Sequence, residues 1–219
     1  MRRNNSSFPS FQWATMTENM RQFKGDNYKK NRTFVIGVAD QSVLERSLNC
    51  KTDKLPSFDR SKGVIVTWPN KHHELFINPA APDHRDMVLE FHEIFGIYLP
   101  VDVLKKYQSD HALARSVENP LVGLVKAQLI PQPANSTYGA SIEKFRKGRK
   151  GLLEYDGTVP GTLLDLGKAM GFPMIGSDIE ENLSVTVEML LGSGLAPAGD
   201  RAALTACVDE AMIDIIGDS

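Results

Sequence analysis

The spacing of apolar and polar residues changes character near residue 80. Phe34-Val35-Ile36-Gly37-Val38 is an unbroken apolar run, which predicts a short buried strand. Asp40 stands where an N-cap would open a short helix through Val43, Leu44 and Leu48. Residues 51–62 are polar, contain Pro56 and read as a loop. Val64-Ile65-Val66-Thr67-Trp68 and Glu74-Leu75-Phe76-Ile77 flank Pro69-Asn70-Lys71, the pattern of a β-hairpin. Pro79 and Pro82 end it. Asp83 can cap the next helix, whose apolar stripe is Met87, Val88, Phe91, Ile94 and Phe95 and whose stop is Gly96.

Beyond that point the pattern reads as helical. Residues 101–115 and 120–130 are two candidate helices, and residues 131–141 are a loop or linker. A short helix follows over 142–147. Pro160 and Gly171 bracket a helix through Leu163, Leu164, Leu166 and Met170. Ser177-Asp178-Ile179-Glu180 has the form of a capping box for a helix ending at Gly192. Asp200 or Gly199 opens the last helix, with Leu204, Cys207, Ala211 and Ile215 inward. Residues 1–32 read as a basic arm with one short helix near 17–23. The predicted class is therefore α+β and predominantly helical. A small N-terminal β element (hairpin 64–77 plus strand 34–38) would precede a helical, bundle-like region. Residues 33–219 would form a single globular domain.

Composition narrows the function classes. Apolar content of 42% and charged content of 24% are ordinary for a globular chain. No apolar run approaches the roughly 20 residues that span a bilayer, so no membrane partner is expected. The opening MRRNNSSFPSFQW lacks the apolar core of a secretory signal. Cys50 and Cys207 are far apart in sequence and suit a reducing compartment. The expected setting is cytoplasmic or virion, not secreted.

Charge is polarised along the chain. Residues 1–32 hold seven basic and two acidic side chains, a balance of +5; residues 178–219 hold nine acidic and one basic, a balance of −8. The formal total is only −2. Opposite ends of opposite sign suggest that one end meets the other, within a chain or between neighbours.

Two clusters could carry chemistry. Four of the five histidines (His72, His73, His84 and His92) fall within 72–92, among Asp83, Asp86, Glu90 and Glu93. Imidazoles and carboxylates are ligands for divalent metals. His72, His84, Glu90, His92 and Glu93 are the candidate ligand set, with Glu93 as a general base if the ion activates water. The ordinary alternative is a solvated helix face. The second cluster is Lys144, Arg146, Lys147, Arg149 and Lys150, with Phe145 within it and Tyr138 and Tyr155 beside it. Cations interleaved with aromatics suit single-stranded RNA or DNA, by phosphate pairing and base stacking. An isoelectric point near 6.2 speaks against a dedicated nucleic-acid binder.

Met87-Val88-Leu89-Glu90-Phe91-His92-Glu93-Ile94-Phe95-Gly96-Ile97 resembles the opening helix of MazG-like and phosphoribosyl-ATP pyrophosphohydrolase-like proteins. The resemblance implies an all-helical, magnesium-dependent nucleotide pyrophosphohydrolase. That family's E-E-x-x-E and later E-x-x-D motifs have no match: Glu180-Glu181 is followed by Asn182-Leu183-Ser184. The family is therefore not adopted.

The expectation is a non-enzymatic assembly or structural subunit, virion- or nucleoprotein-like, with no cofactor. Its basic arm (Arg2, Arg3, with Phe8, Phe11 and Trp13 as apolar anchors) would dock on acidic C-terminal helices of a neighbour in a homo-oligomer or larger assembly. The alternative is a metal-dependent phosphohydrolase using a divalent ion at the 72–93 cluster.

Overall fold

The computed structural model describes residues 7–29, 34–112, 121–140, 156–175 and 178–216. Its framework is a strongly curled antiparallel sheet, close to half a barrel. In chain order the elements are α1 (Phe8–Lys29), β1 (Val35–Val38), α2 (Gln41–Arg46), β2 (Lys51–Lys54), β3 (Gly63–Thr67), β4 (His73–Ile77) and α3 (His84–Ile94). Then come α4 (Val101–Lys106), β5 (Tyr107–His111), β6 (Leu124–Pro131), α5 (Gln132–Ala140) and β7 (Thr158–Pro160). The chain closes with α6 (Leu163–Ala169), α7 (Ile179–Gly192) and, after a single 3-10 turn, α8 (Arg201–Ile216).

The sheet order is β2-β3-β4-β6-β1-β7. β6 is the hub. Its Val125 pairs with Ile77 of β4 on one side and Gly37 of β1 on the other; further along, Ala127 pairs with Leu75 and with His111 of β5. β5 thus takes over the edge that β1 leaves. The close approach of β6 to the end of β1 needs Gly123, whose N–H donates to the Val38 and Ala39 carbonyls, each at 3.0 Å. A Cβ there would lie 2.3 Å from the Ala39 oxygen.

Both sheet faces are buried. The larger core joins Ile36, Ile65, Leu75, Ile77 and Val125 to Met20 and Phe23 of α1, Met87 and Phe91 of α3, and α6, α7 and α8. The smaller one packs Val35, Val64, Val66, Trp68, Phe76 and Leu124 around Leu44 of α2.

Several elements form as their local chemistry dictates. The hairpin closes in register, Thr67 opposite His73, with Lys71 at φ 67° and its N–H on the Trp68 carbonyl at 2.8 Å. Asp40 caps α2 through the Ser42 and Val43 N–H groups. Gly96, at φ 69°, ends the turn that follows α3. Asp178 caps α7 by accepting the Glu181 N–H at 2.8 Å, one residue later than the motif suggests.

The predicted class is corrected. The chain is not a small N-terminal β element followed by a helical bundle, because the sheet runs from residue 35 to residue 160. Residues 124–130, expected in a helix, belong to the central strand. The expected helix 101–115 stops at Lys106 and gives way to β5. The expected linker 131–141 is largely α5, and the expected loop 51–62 begins with β2. The physical reason lies in burial. A strand covered on both faces shows no alternation, so Leu121-Val122-x-Leu124-Val125 mimics a helical stripe. The short helix expected near 17–23 is part of the 22-residue α1.

Candidate functional site

The second half of α1 seats itself on the sheet through polar groups. Glu18, Asn19 and Gln22 are buried there, together with Glu74 of β4 and Lys126 of β6. Glu74 accepts from Lys126 Nζ at 2.7 Å, from Trp68 Nε1 at 2.9 Å and from Gln22 Nε2 at 3.2 Å. His72 Nε2 stands 3.6 Å from it. Lys126 also donates to Asn19 Oδ1 at 2.7 Å, and its ammonium sits 5.4 Å above the centre of the Phe34 ring. Glu18 holds Arg21, at 2.6 and 2.8 Å, and accepts from Asn70 of the hairpin turn at 2.9 Å.

Burial alone would raise the Glu74 carboxyl, but the Lys126 and His72 charges and hydrogen bonds outweigh it and hold it down at about 2. The same contest at Glu18, with burial opposed by Arg21, leaves that carboxyl below its usual value. Carboxylates held ionised in this way are poorly placed to exchange protons near neutral pH. This network is a lock between α1, the hairpin and β6.

Beside the lock, between α1, α3 and the sheet, lies a cavity of about 40 Å³ lined by Phe8, Phe11, Met16, Phe91 and His92 among others. Substrate pockets run to roughly 300–1,000 Å³, so this one has room for water and little more. His92 is buried, and burial lowers its basicity against the opposing effect of its backbone bond. Its Nδ1 lies 2.7 Å from the Val88 carbonyl, which can only accept, so Nδ1 carries the proton and Nε2 the lone pair.

The candidate metal ligands are dispersed. His72 belongs to the Glu74 network. The His84 ring lies 5.1 Å from His111. Glu90 accepts the Ser57 N–H at 3.0 Å. His92 turns inward onto Phe8 and Phe11, and Glu93 faces solvent. Among the described residues no three His, Cys, Asp or Glu side chains gather as metal ligands. Of the arm anchors, Phe8 is buried edge-on to Tyr107 at 5.1 Å and Phe11 is half-buried on His92 at 5.1 Å, both within the one chain. Trp13 is exposed. Arg2 and Arg3, and the basic cluster Lys144, Arg146, Lys147, Arg149 and Lys150, lie outside the described residues.

The surface feature that stands apart is the corner between α3 and α4. Six large apolar side chains stand exposed among the described residues, and three of them fall within 94–101: Tyr98 at 75%, Val101 at 67% and Ile94 at 41%. Beside Tyr98 runs a groove of about 440 Å³ lined by Leu89, Glu93, Gly96, Ile97, Tyr98, Leu99 and Leu104. Gly96 leaves part of its wall without a side chain. Glu93 lines the groove and is exposed, and Asp102, Lys105 and Lys106 of α4 are exposed as well. The backbone of Ser7 bridges to Tyr98, so the N-terminal residues enter the fold at this corner. The terminal strands are blunted by contrast: β2 reads Lys51-Thr52-Asp53-Lys54, and β7 ends on Pro160.

Compared with known proteins, the chain matches no family model, no curated protein and no solved structure. The residues of the lock went unnoticed in the sequence, although two signals were present. Glu74 stands next to the apolar Leu75-Phe76-Ile77 at the start of a strand, and Lys126 sits inside the apolar run 121–130. Charges in such runs are buried only when paired.

Proposed function

We propose that this chain is a non-enzymatic assembly subunit that binds another polypeptide through the α3–α4 corner. The observation that carries the reading is that three large apolar side chains, Ile94, Tyr98 and Val101, stand exposed within eight residues of chain and that Tyr98 lines a groove there. Folded chains rarely leave contiguous apolar surface in water unless something covers it. Tyr98 both lines the groove and stands exposed, and aromatic residues are enriched in protein contacts. The test is a photo-crosslinking residue at position 98 of the full chain, irradiated in the cells that carry it. A product heavier than the chain itself is expected. If only the free chain is recovered, while the same probe at Tyr107 behaves identically, the corner is not a contact surface.

A further inference from the structure

α1 is held to the body in two different ways. From Glu18 onward it is fixed by the polar lock, through Glu18, Asn19 and Gln22. Residues 8–16 rest mainly on rings. Phe8 lies 5.1 Å from Tyr107 and 6.1 Å from His92, and Phe11 lies 5.1 Å from His92 and 6.4 Å from Phe91. Among the described residues one side-chain hydrogen bond joins this half to the rest of the fold, from Tyr107 Oη to Gln12 Oε1 at 3.1 Å. The hydroxyls of Thr15 and Thr17 donate back to the Phe11 and Trp13 carbonyls at 3.1 and 2.9 Å, a pairing that weakens and bends helices. Beneath lies the cavity of about 40 Å³, so packing is incomplete on this side. We infer that residues 8–16 form a strap that lifts from α3 when His92 takes up a proton, hinged at Thr15–Thr17 while the lock stays closed.

His92 is 4% exposed, and its Nδ1–H is committed to the Val88 carbonyl. A second proton therefore goes to Nε2, for which no described residue supplies an acceptor. The charged and titratable groups around it offer no counter-charge. On β4, Glu74 is engaged by Lys126 and Trp68, and His73 is bonded to Thr67 and stacked on Phe95. On β6, the Lys126 ammonium has the same sign as an imidazolium. On α3 itself, Glu90 accepts the Ser57 N–H and Glu93 faces solvent. On β5, Tyr107 is bonded to Gln12, Asp110 pairs with Lys168 at 2.7 Å, and His111 lies against His84 at the far end of α3. On α1, Glu18 holds Arg21. An imidazolium enclosed by Phe8, Phe11 and Phe91 without a carboxylate partner is costly. Burial already holds this imidazole below its ordinary value. Met87 and Phe91 of α3, Leu75 of β4 and Val125 of β6 belong to the larger core, so the strap is the part that can open Nε2 to water at least cost.

The test is amide hydrogen exchange on the full chain at about pH 7.5 and about pH 5.5, corrected for the intrinsic rate. For one imidazole that regains its ordinary 6.5 once released, protection of residues 8–16 should fall about tenfold between the two, while β4 and β6 keep theirs. His92→Phe and His92→Gln should remove the fall, and His73→Gln should leave it. Equal protection of residues 8–16 at both pH values overturns the inference. So does a fall that persists in both His92 variants, a fall that follows His73 instead, or one shared equally by β4 and β6, which is global unfolding. Should neither His92 variant fold, the parent chain still decides: NMR of the His92 ring must give a titration midpoint that coincides with the change in exchange, and a mismatch overturns the strap.

Discussion

Glu74 and Lys126 show how much one buried contact can decide. Lys126→Met strips the carboxylate of its counter-charge in a buried site, and the expected cost is about 3–5 kcal/mol. Combining it with Glu74→Gln keeps an acceptor for Trp68, removes the orphaned charge, and should recover part of that loss. Urea denaturation of both variants checks this; equal midpoints for the single variant and the parent chain would show that the pair contributes nothing. The pH dependence follows from the same side chains. Glu74 has a folded pKa near 2 against an ordinary 4.5, so its contribution of about 3 kcal/mol is present above pH 4.5 and is lost as pH falls from there toward 2. His92 is a base held below its ordinary 6.5. The unfolded chain takes up its proton first, so stability begins to fall once pH drops below about 6.5. Thermal melts between pH 8 and 3 should therefore decline in two stages. His73 is also held below its ordinary value, by burial and the neighbouring His72, so His92→Gln should reduce the first stage without abolishing it and leave the second.

α1 is the element whose role differs most between sequence and structure. Its inward face mixes Phe8, Met20 and Phe23 with Glu18, Asn19 and Gln22, so it has no continuous apolar stripe to announce a packed helix. The buried polar side chains find partners on β4, β6 and the hairpin turn, contacts 52 to 107 residues away in sequence. Deleting residues 1–29 should uncover Phe34, Leu75 and Phe91 and give a chain that binds a hydrophobic dye or aggregates; a truncated chain melting like the parent would show α1 to be dispensable. The hairpin β3–β4 and the helix α3 were legible because each needs only local signals: a turn, a cap, a stripe. β6 was not, because its identity depends on neighbours on both edges and cover on both faces. At its start, Gly123→Ala would drive a methyl group into the Ala39 carbonyl. A loss of about 1–3 kcal/mol is expected from such overpacking, measurable by denaturant midpoint.

At the scale of the molecule, the opposite charges of the two ends do meet within one chain at least once, where Lys24 of α1 pairs with Asp200 just before α8. That contact is part of the fold. If the proposed contact is centred on Tyr98, capture of a partner from position 98 should hold steady between about 0.05 and 0.5 M salt, since screening weakens exposed charges and not apolar burial. Capture that is lost as salt rises would show that charge pairing, not the apolar corner, carries the contact.

The sequence by itself determined the pieces whose signals are short-range: the hairpin and its turn, the cap of α2, the inward Met87, Val88 and Phe91 and the glycine stop of α3, the polarity of charge; the α3 stripe reached too far, because Ile94 is exposed. It also contained Glu74 and Lys126 in apolar company, a mark of buried pairing. Only the tertiary structure decided that the apolar run 124–131 is the hub of a curled sheet, that the polar face of α1 is an inside face, and that the 72–93 histidines disperse. Each of these depends on which distant segment lies opposite. An apolar run buried on both faces has no period to betray its conformation, and a polar residue buried against a partner far along the chain looks, in sequence, like any solvated one.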